Sequence, residues 1–394
     1  MDSETFGQTL RRLRGDLSIR DVANRAKCGK SYVSALEHDR RTPSPAVVIA
    51  LDEALDARGE LIAAARQSSR PSVLERAEEL RRGMTDVLAS GGMSDAGIEE
   101  WGHVVGRHGR ATRYRPEADL LADLLSDFSD LLQVLEHRHP AAVRRKLGVV
   151  AAHLSGLVAL TLLKLGDSRS RDWWRTGRAA AAAAEDRAAQ SWMYAQESYA
   201  LYYGGDMIGA IELAQRAQSI AGGEPYVGAA LAASLEARAH AVLGDRDAAE
   251  YALRRAEEAL ERLDPDLITA SAFGYSESQL RFHAGNTWTH LREGGRAWRE
   301  QQRALELYPK EEHTDRTLIH LDWALCLAHD GDIAAAAAHA TTALVALPHE
   351  HRSSLIIDRA RHLTNSGSAS RLKLSEVQVL KEILALPVGR DMEG

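Results

Sequence analysis

Cys28-Gly29-Lys30-Ser31 carries the residue types that hold a phosphate: a glycine that lets backbone approach, a lysine for charge and a serine hydroxyl. A nucleotide-binding loop also needs a glycine five residues before Gly29, and Asn24 stands there. Nucleotide binding is set aside on that ground. What remains is local charge: Arg20 to Arg41 holds six Lys/Arg against three Asp/Glu, a basic edge suited to phosphate contact. The pairs His137/His139 and His349/His351 have no nearby Cys or repeated carboxylate, so no metal site is expected. Cys28 and Cys326 lie too far apart in sequence to suggest a disulfide or metal framework, which fits a reducing compartment. No nucleophile-elbow sequence or isolated carboxylate pair stands out, so neither an enzyme nor a cofactor is expected.

The elements around the basic edge explain what it faces. Ser18 can cap a helix whose apolar positions are Ile19, Val22, Ala23 and Ala26, at helical spacing. Lys27-Cys28-Gly29 makes a short turn, and a second helix from Lys30 turns Tyr32, Val33 and Leu36 inward. Two helices joined in this way form a helix-turn-helix, whose second helix enters the major groove of DNA. Lys30, Ser31 and Ser34 fall on its outward face. Arg20, Arg40 and Arg41 lie where a docked protein meets phosphate, and Pro43 closes the segment.

This stretch resembles the lambda-repressor-like (XRE-type) helix-turn-helix family. The matching positions are Phe6, Leu10, Arg12, Leu13, Arg14, Leu17-Ser18, Val22-Ala23, Tyr32-Val33-Ser34, Leu36-Glu37 and Arg41-x-Pro43-Ser44. The resemblance implies a five-helix DNA-binding domain over residues 1–67. It also implies an architectural ion pair between Arg12 and Glu37. Lys30 would donate to guanine, with Ser31 and Ser34 as lesser base readers and Arg20, Arg40 and Arg41 on phosphates. The family's turn glycine is replaced by Lys27. A non-glycine left-handed residue costs roughly 1–2 kcal/mol, so the turn is expected to shift onto Gly29.

The whole chain has 394 residues, 45% apolar content, 5% aromatics, ten prolines and a net charge of −7. Residues 1–67 are near neutral, with 11 Lys/Arg against 10 Asp/Glu, so the acidity belongs to the remainder. An acidic body discourages DNA from binding elsewhere, which suits a regulator better than a nucleic-acid coat. Alanine-rich runs such as Ala179 to Ala184 point to an all-α protein. No run of 18 apolar residues and no leader pattern is seen, so no membrane span and a cytoplasmic location are expected.

Ser68-Ser69-Arg70-Pro71-Ser72 reads as a linker, and 68–110 as linker and connecting helices, with helices over 73–89 and 95–108 split by Ser90-Gly91-Gly92. Leu121, Leu124, Leu125, Phe128, Leu131, Leu132 and Leu135 form one apolar stripe, either packed on the next helices or serving as a dimer seam. Beyond it the signal is periodic. Gly166-Asp167, Gly205-Asp206 and Gly244-Asp245 recur every 39 residues; Arg292-Glu293 follows after 48 and Gly331-Asp332 after another 39. Alanine recurs five and twelve positions after the later turns: Ala210 and Ala217, Ala249 and Ala256, Ala297 and Ala304, Ala336 and Ala343. Small residues at such positions let paired helices approach.

The array is similar to tetratricopeptide repeats. Ala304-Leu305-Glu306-Leu307-Tyr308-Pro309 and Ala343-Leu344-Val345-Ala346-Leu347-Pro348 match the repeat ending, and Ser198, Ala237, Gly285 and Ala324 fill the small position of the first helix. The resemblance implies a right-handed helical solenoid over 111–394, with residues 351–388 as a terminal pair and a concave surface built from first helices. By phase, Trp192, Tyr199, Tyr202, Tyr203, Arg238, Gln279, Phe282 and Asn286 face that surface, as effector contacts or as packing between helices. The combined architecture resembles the peptide-sensing quorum regulators. It implies a homodimer on a double-stranded DNA operator, controlled by a signalling peptide or small-molecule effector. The alternative is a DNA-tethered scaffold whose repeats bind a partner protein and sense no diffusible ligand.

Overall fold

The computed structural model describes residues 4–41, 43–68, 81–84, 93–365 and 373–386. Among them the chain is all-helical, with no strand. It divides into two compact units, Met1–Met84 and Thr85–Gly394. Of the expected linker, Ser68 instead ends a helix, while residues 69–72 and most of the helix over 73–89 lie outside the described residues.

Among its described residues up to Ser68 the first unit has five helices: α1 (Phe6–Arg14), α2 (Ile19–Arg25), α3 (Lys30–Glu37), α4 (Pro45–Ala54) and α5 (Glu60–Ser68). Phe6, Leu10, Val22, Val33, Leu36, Leu51 and Leu61 fill its core. Local chemistry sets the ends. Thr5 and Gln8 form a capping box on α1, and Ser18 with Asp21 forms another on α2. The Asp52 carboxylate accepts from the backbone N–H of Gly59 (2.7 Å) and of Leu61 (3.0 Å), capping α5 from α4. A Cβ on Gly7 would lie 2.6 Å from the Leu36 carbonyl oxygen, so glycine permits α1 to touch the end of α3.

Two sequence expectations fail here. Glu37, 3% exposed, pairs with Arg14 (Nε to Oε1, 2.5 Å) instead of Arg12. Arg12 points to the other side of α1 and binds Glu4 (3.0 Å) and Glu60 (2.6 Å). Residues 12 and 14 lie about 200° apart around a helix, so only one can reach α3. The second failure is the turn. Lys27 itself takes the left-handed conformation, with φ 49°, while Gly29 caps α3 at φ −74°. Gly29 is needed at an extended N-cap, so the strain stays on Lys27.

The second unit begins with the hairpin α6 (Asp95–Ala111) and α7 (Glu117–Glu136). Five helix pairs follow: α8 (Ala141–Leu165) with α9 (Ser170–Ala183), α10 (Arg187–Tyr203) with α11 (Met207–Ala221), and α12 (Val227–Leu243) with α13 (Arg246–Arg262). Then come α14 (Glu277–His290) with α15 (Gly294–Leu307) and α16 (His313–His329) with α17 (Ile333–Ala346). A last pair is α18 (Ser354–Asn365) and α19 (Ser375–Leu384). The pairs and the turns found in sequence coincide. Gly166, Gly205, Gly244 and Gly331 take φ of 78–93°, and Asp206, Asp245 and Asp332 accept backbone N–H bonds as N-caps of the helices that follow. Arg292 (φ 58°) and Glu293 fill the equivalent turn without glycine. Of the recurrent alanines, all but Ala343 are buried.

The first helix of each pair packs on the first helix of the next, as in a repeat array. This array curls until α18 meets α8, where Ser354 Oγ donates to the Leu165 carbonyl (2.8 Å). The concave face is thereby enclosed. The longer step between the third and fourth turns is taken up mainly by the connection 263–276, which folds inward and buries Ser271, Ala272 and Tyr275. α8 is the one described helix long and apolar enough to cross a membrane, with mean hydropathy 1.7 over its best window. That window is 72% buried by its neighbours, which is the state of a core helix. The leucine stripe of α7 divides: Leu121, Leu124, Phe128 and Leu131 are core, whereas Leu125 and Leu132 are 44% and 50% exposed.

Candidate DNA-reading face and enclosed polar core

On the first unit the residues expected to contact DNA lie on one side of α3 and in the segments flanking it. Lys30 and Ser31 are exposed and Ser34 half-buried along the outer side of α3, while Val33 and Leu36 anchor the opposite side. Arg20, Arg40 and Arg41 are all exposed. The Arg41 guanidinium lies 5.8 Å from the Tyr32 ring centroid, a cation–π contact that ties the loop after α3 to the helix itself. Ser34 also shapes the helix end, its carbonyl lying 2.8 Å from His38 Nδ1. Arg25 and Lys27 are exposed as well and belong to the same basic stretch. The charge count between Arg20 and Arg41 included both, and it was the signal that could have named them.

The second candidate group is buried. Arg238 on α12 is 1% exposed and has no carboxylate of its own. Its Nε donates to Asn286 Oδ1 (2.8 Å) and its Nη2 to the Tyr203 hydroxyl (3.1 Å), and Nη1 lies 3.2 Å from His283 Nδ1. The guanidinium also stacks 4.2 Å from the Tyr202 ring centroid and 5.2 Å from that of Phe282. Asn286 continues the chain: its oxygen accepts from the Tyr202 hydroxyl (2.8 Å), and its Nδ2 donates to Asp322 (2.7 Å). Asp322 then pairs with Arg359 on α18 (2.5 Å). The one carboxylate of the cluster thus pairs with Arg359 directly and reaches Arg238 only through Asn286.

That arrangement sets the nearby ionisations. Burial, with Arg238 adding to it, holds His283 neutral well below its ordinary pKa; burial with Arg359 does the same to His290. Burial works to lower the Arg238 pKa, but the oxygens of Tyr203, Tyr202 and Asp322 outweigh it and the net shift is upward. The group stays charged. A neutral His283 can accept from Arg238 at Nδ1 only in the tautomer that carries its proton on Nε2.

Of the eight residues expected on the concave surface, Tyr202, Tyr203, Arg238, Phe282 and Asn286 join in this cluster, and Tyr199 stacks on Tyr203 (4.6 Å between centroids). Trp192 stands apart. Its Nε1 donates to the Ala272 carbonyl (2.7 Å), and its ring packs on Phe273 and on Gly156, where a Cβ would come within 2.4 Å. Gln279 also lies outside the cluster and lines a small cavity with Tyr199 and Phe282.

Sequence reading did not reach the groups that fill the enclosed face. Arg113, in the turn between α6 and α7, spans to Asp315 on α16 (2.7 Å), which also accepts from the Tyr308 hydroxyl (2.9 Å). Lys164 on α8 donates to the Thr112 carbonyl (3.1 Å) and lies 3.5 Å from Glu117. The Ala272 N–H donates to the Gly109 carbonyl (2.9 Å), so the 263–276 connection and α6 are joined there. Among the described residues no group of three or more His, Cys, Asp or Glu is placed to hold a metal ion.

The comparison with protein families matches residues 5–65 to the helix-turn-helix domain. No curated protein and no solved structure matches the chain. The matched segment covers α1 to α4 and most of α5, and so contains the whole candidate face. The chain therefore carries an N-terminal helix-turn-helix domain of the DNA-binding kind found in regulators, followed by a helical repeat-like region.

Proposed function

We propose that the protein is a sequence-specific transcriptional regulator whose tetratricopeptide-like unit senses a small effector. The observation that carries the DNA half is the outer face of α3. Lys30, Ser31 and Ser34 project from a helix held by Val33 and Leu36, with Arg20, Arg40 and Arg41 flanking it. In such a helix the N-terminal residues meet base edges and flanking arginines hold phosphates. Lys30 donates to guanine, and Ser31 and Ser34 read neighbouring edges. Selection of bound fragments from random duplex DNA by the full chain tests this. Recovery of one short motif that Arg40→Ala and Arg41→Ala weaken uniformly, and with a shallower salt dependence, supports it. Recovery of no motif ends it.

One such helix reads only a few base pairs, so the working form is a homodimer on an inverted repeat. Leu125 and Leu132, seven residues apart and exposed on α7, support a seam there. Light scattering should give twice the chain mass, and Leu125→Glu/Leu132→Glu should return it to the monomer. A monomer without the substitutions would remove the dimer.

The effector half rests on the enclosed core. Tyr199, Gln279 and Phe282 border its cavity, while Tyr202, Tyr203, Arg238 and Asn286 form a second layer that positions Phe282. A cavity of about 60 Å³ is too small for a peptide. The effector reading therefore shifts from a signalling peptide to a small molecule. Effector binding changes DNA affinity only by the difference in its affinity for two conformations, and about 100-fold corresponds to nearly 3 kcal/mol.

A further inference from the structure

The cavity has a defined chemistry. Its polar lining includes Arg113 and Lys164 of one sign and Glu312 and Asp315 of the other, with Gln279 between apolar Leu160, Leu231 and Phe282. The Gln279 side chain is 7% exposed, and its Oε1 is buried without a hydrogen-bond partner in the protein. A buried acceptor left in that state costs about 1–3 kcal/mol, so a ligand that donates there recovers a real loss. Size is the second constraint. One water needs roughly 10–15 Å³, so about 60 Å³ suits a compact ligand of some four to six non-hydrogen atoms, with a second cavity of about 320 Å³ bordering it at Arg113, Gln279 and Glu312. Sign is the third. A lone anion would meet the Asp315 carboxylate, and a lone cation would meet Arg113 and Lys164. A molecule carrying both charges meets neither penalty.

We propose that this cavity binds a compact zwitterion of the α-amino-acid type, its carboxylate on Arg113 and Lys164 and its ammonium on Gln279 and Glu312. The inference rests on reading the second unit as a sensor and names the class of molecule sensed. The cavity wall explains how occupancy is transmitted. Thr112 and Arg113 come from the α6–α7 turn and Ala272 from the inserted connection, while the other lining groups come from the first helices of the array and the N-terminal end of α16. A ligand bridging these parts fixes α6 against the array. Burial, and then the neighbouring Asp315, push Glu312 up to about 8 against the opposing pull of Arg113 and Lys164. An ammonium beside Glu312 favours its charged form, so binding near neutral pH releases a proton.

The test is calorimetric titration of the full chain with glycine and L-alanine, set against the isosteres glycolate, glycinamide, lactate and alaninamide. Glycolate and lactate lack the ammonium; the two amides lack the carboxylate. At least one amino acid should bind roughly tenfold or more tightly than its isosteres, a 1.4 kcal/mol difference, with an enthalpy that depends on the buffer's own protonation heat. Gln279→Met should weaken it by a similar factor with an unchanged circular dichroism melt. If that variant does not fold, the isostere series on the unsubstituted chain decides alone. Binding of neither amino acid, or equal binding of an isostere, overturns the proposal. DNA affinity measured on the same samples keeps the two readings apart. An amino acid that binds without altering DNA affinity would refute the sensor and leave the site.

Discussion

The outer face of α3 and the enclosed core of the repeat unit both gather basic and hydroxyl side chains, yet they use them in opposite ways. Lys30, Ser31, Arg20 and Arg40 are exposed, and folding does not call on their heads. Arg238, Asn286, Asp322 and Arg359 are buried and spend their hydrogen bonds on one another. The first group is free for a partner, and its loss leaves the fold intact. The second is structure first. Whatever binds in the core must start from a group left over, which is why the candidate ligand contacts centre on Gln279, whose Oε1 has no partner in the protein, and on the charged Arg113 and Glu312 beside it, rather than on the conspicuous aromatic cluster.

The sharpest way to break this contrast is to remove the one carboxylate of the cluster. Asp322→Ala leaves Arg359 without its ion-pair partner and Asn286, which holds Arg238, without its acceptor, and breaking a buried pair costs about 3–5 kcal/mol. Chemical denaturation should show the second unit destabilised by that order. A loss below about 1 kcal/mol would mean that water or a neighbouring group takes over Asp322's role, and the core would then be less committed than its geometry states.

Lys30→Ala is the counterpart on the exposed face. It should cost about 1–3 kcal/mol in specific DNA binding and relax preference at one base pair. Its effect on stability should stay within about 0.5 kcal/mol, as for surface positions generally. Equal loss on specific and random duplexes would place Lys30 among the phosphate contacts. A large loss of stability would erase the distinction between the two regions.

The same contrast explains what could be read in the sequence. Helix ends and repeat turns were legible because they are local. Ser18 caps α2, and the Gly-Asp pairs at 205, 244 and 331 each supply a left-handed residue followed at once by an N-cap. The outward face of α3 followed from spacing alone. The core was legible only as a list of inward residues. Its bonds join Arg238 to Asn286, Asp322 to Arg359 and Arg113 to Asp315, partners 37 to 202 residues apart that meet because the array closes on itself. Periodicity says which way a side chain faces. It does not say that the inserted 263–276 connection will arrive to cover that face. The choice between Arg12 and Arg14 was lost for a related reason, since both flank Leu13 and only the docked position of α3 selects one.

Acid should separate the regions next. Burial holds His153 down to about 4, and it holds His283 and His290 well below the ordinary value. Such groups are neutral when folded but take up protons when unfolded once pH falls below about 6.5. Their contribution to stability is therefore intact above that value and drains away between pH 6.5 and 4. Glu312 runs the other way: its folded pKa of about 8 makes it favour folding at low pH and lose that contribution as pH rises through 8. Melting of the second unit should fall from pH 6.5 to 4, and His153→Leu should flatten part of that slope. An unchanged slope would mean that His153 gains a proton without leaving its place between Trp192 and Phe273.

The smallest expected effect tests whether the DNA-reading unit holds strain of its own. Lys27 sits at φ 49° between α2 and α3, where the clash between Cβ and the following carbonyl costs a residue with a side chain about 1–2 kcal/mol. Its side chain is exposed, and its backbone N–H donates to Asn24 at 3.3 Å, a bond that any residue can make. Lys27→Gly removes the clash and keeps the bond. It also frees the unfolded chain, which takes back roughly 0.4–1 kcal/mol. The net should be a gain of up to about 1 kcal/mol in the first unit's unfolding free energy, with DNA affinity lowered through the lost positive charge and its salt dependence reduced. A loss of stability would show that the Lys27 side chain contributes more than its exposure suggests. Unchanged salt dependence would place it outside the phosphate track that Arg20, Arg40 and Arg41 define.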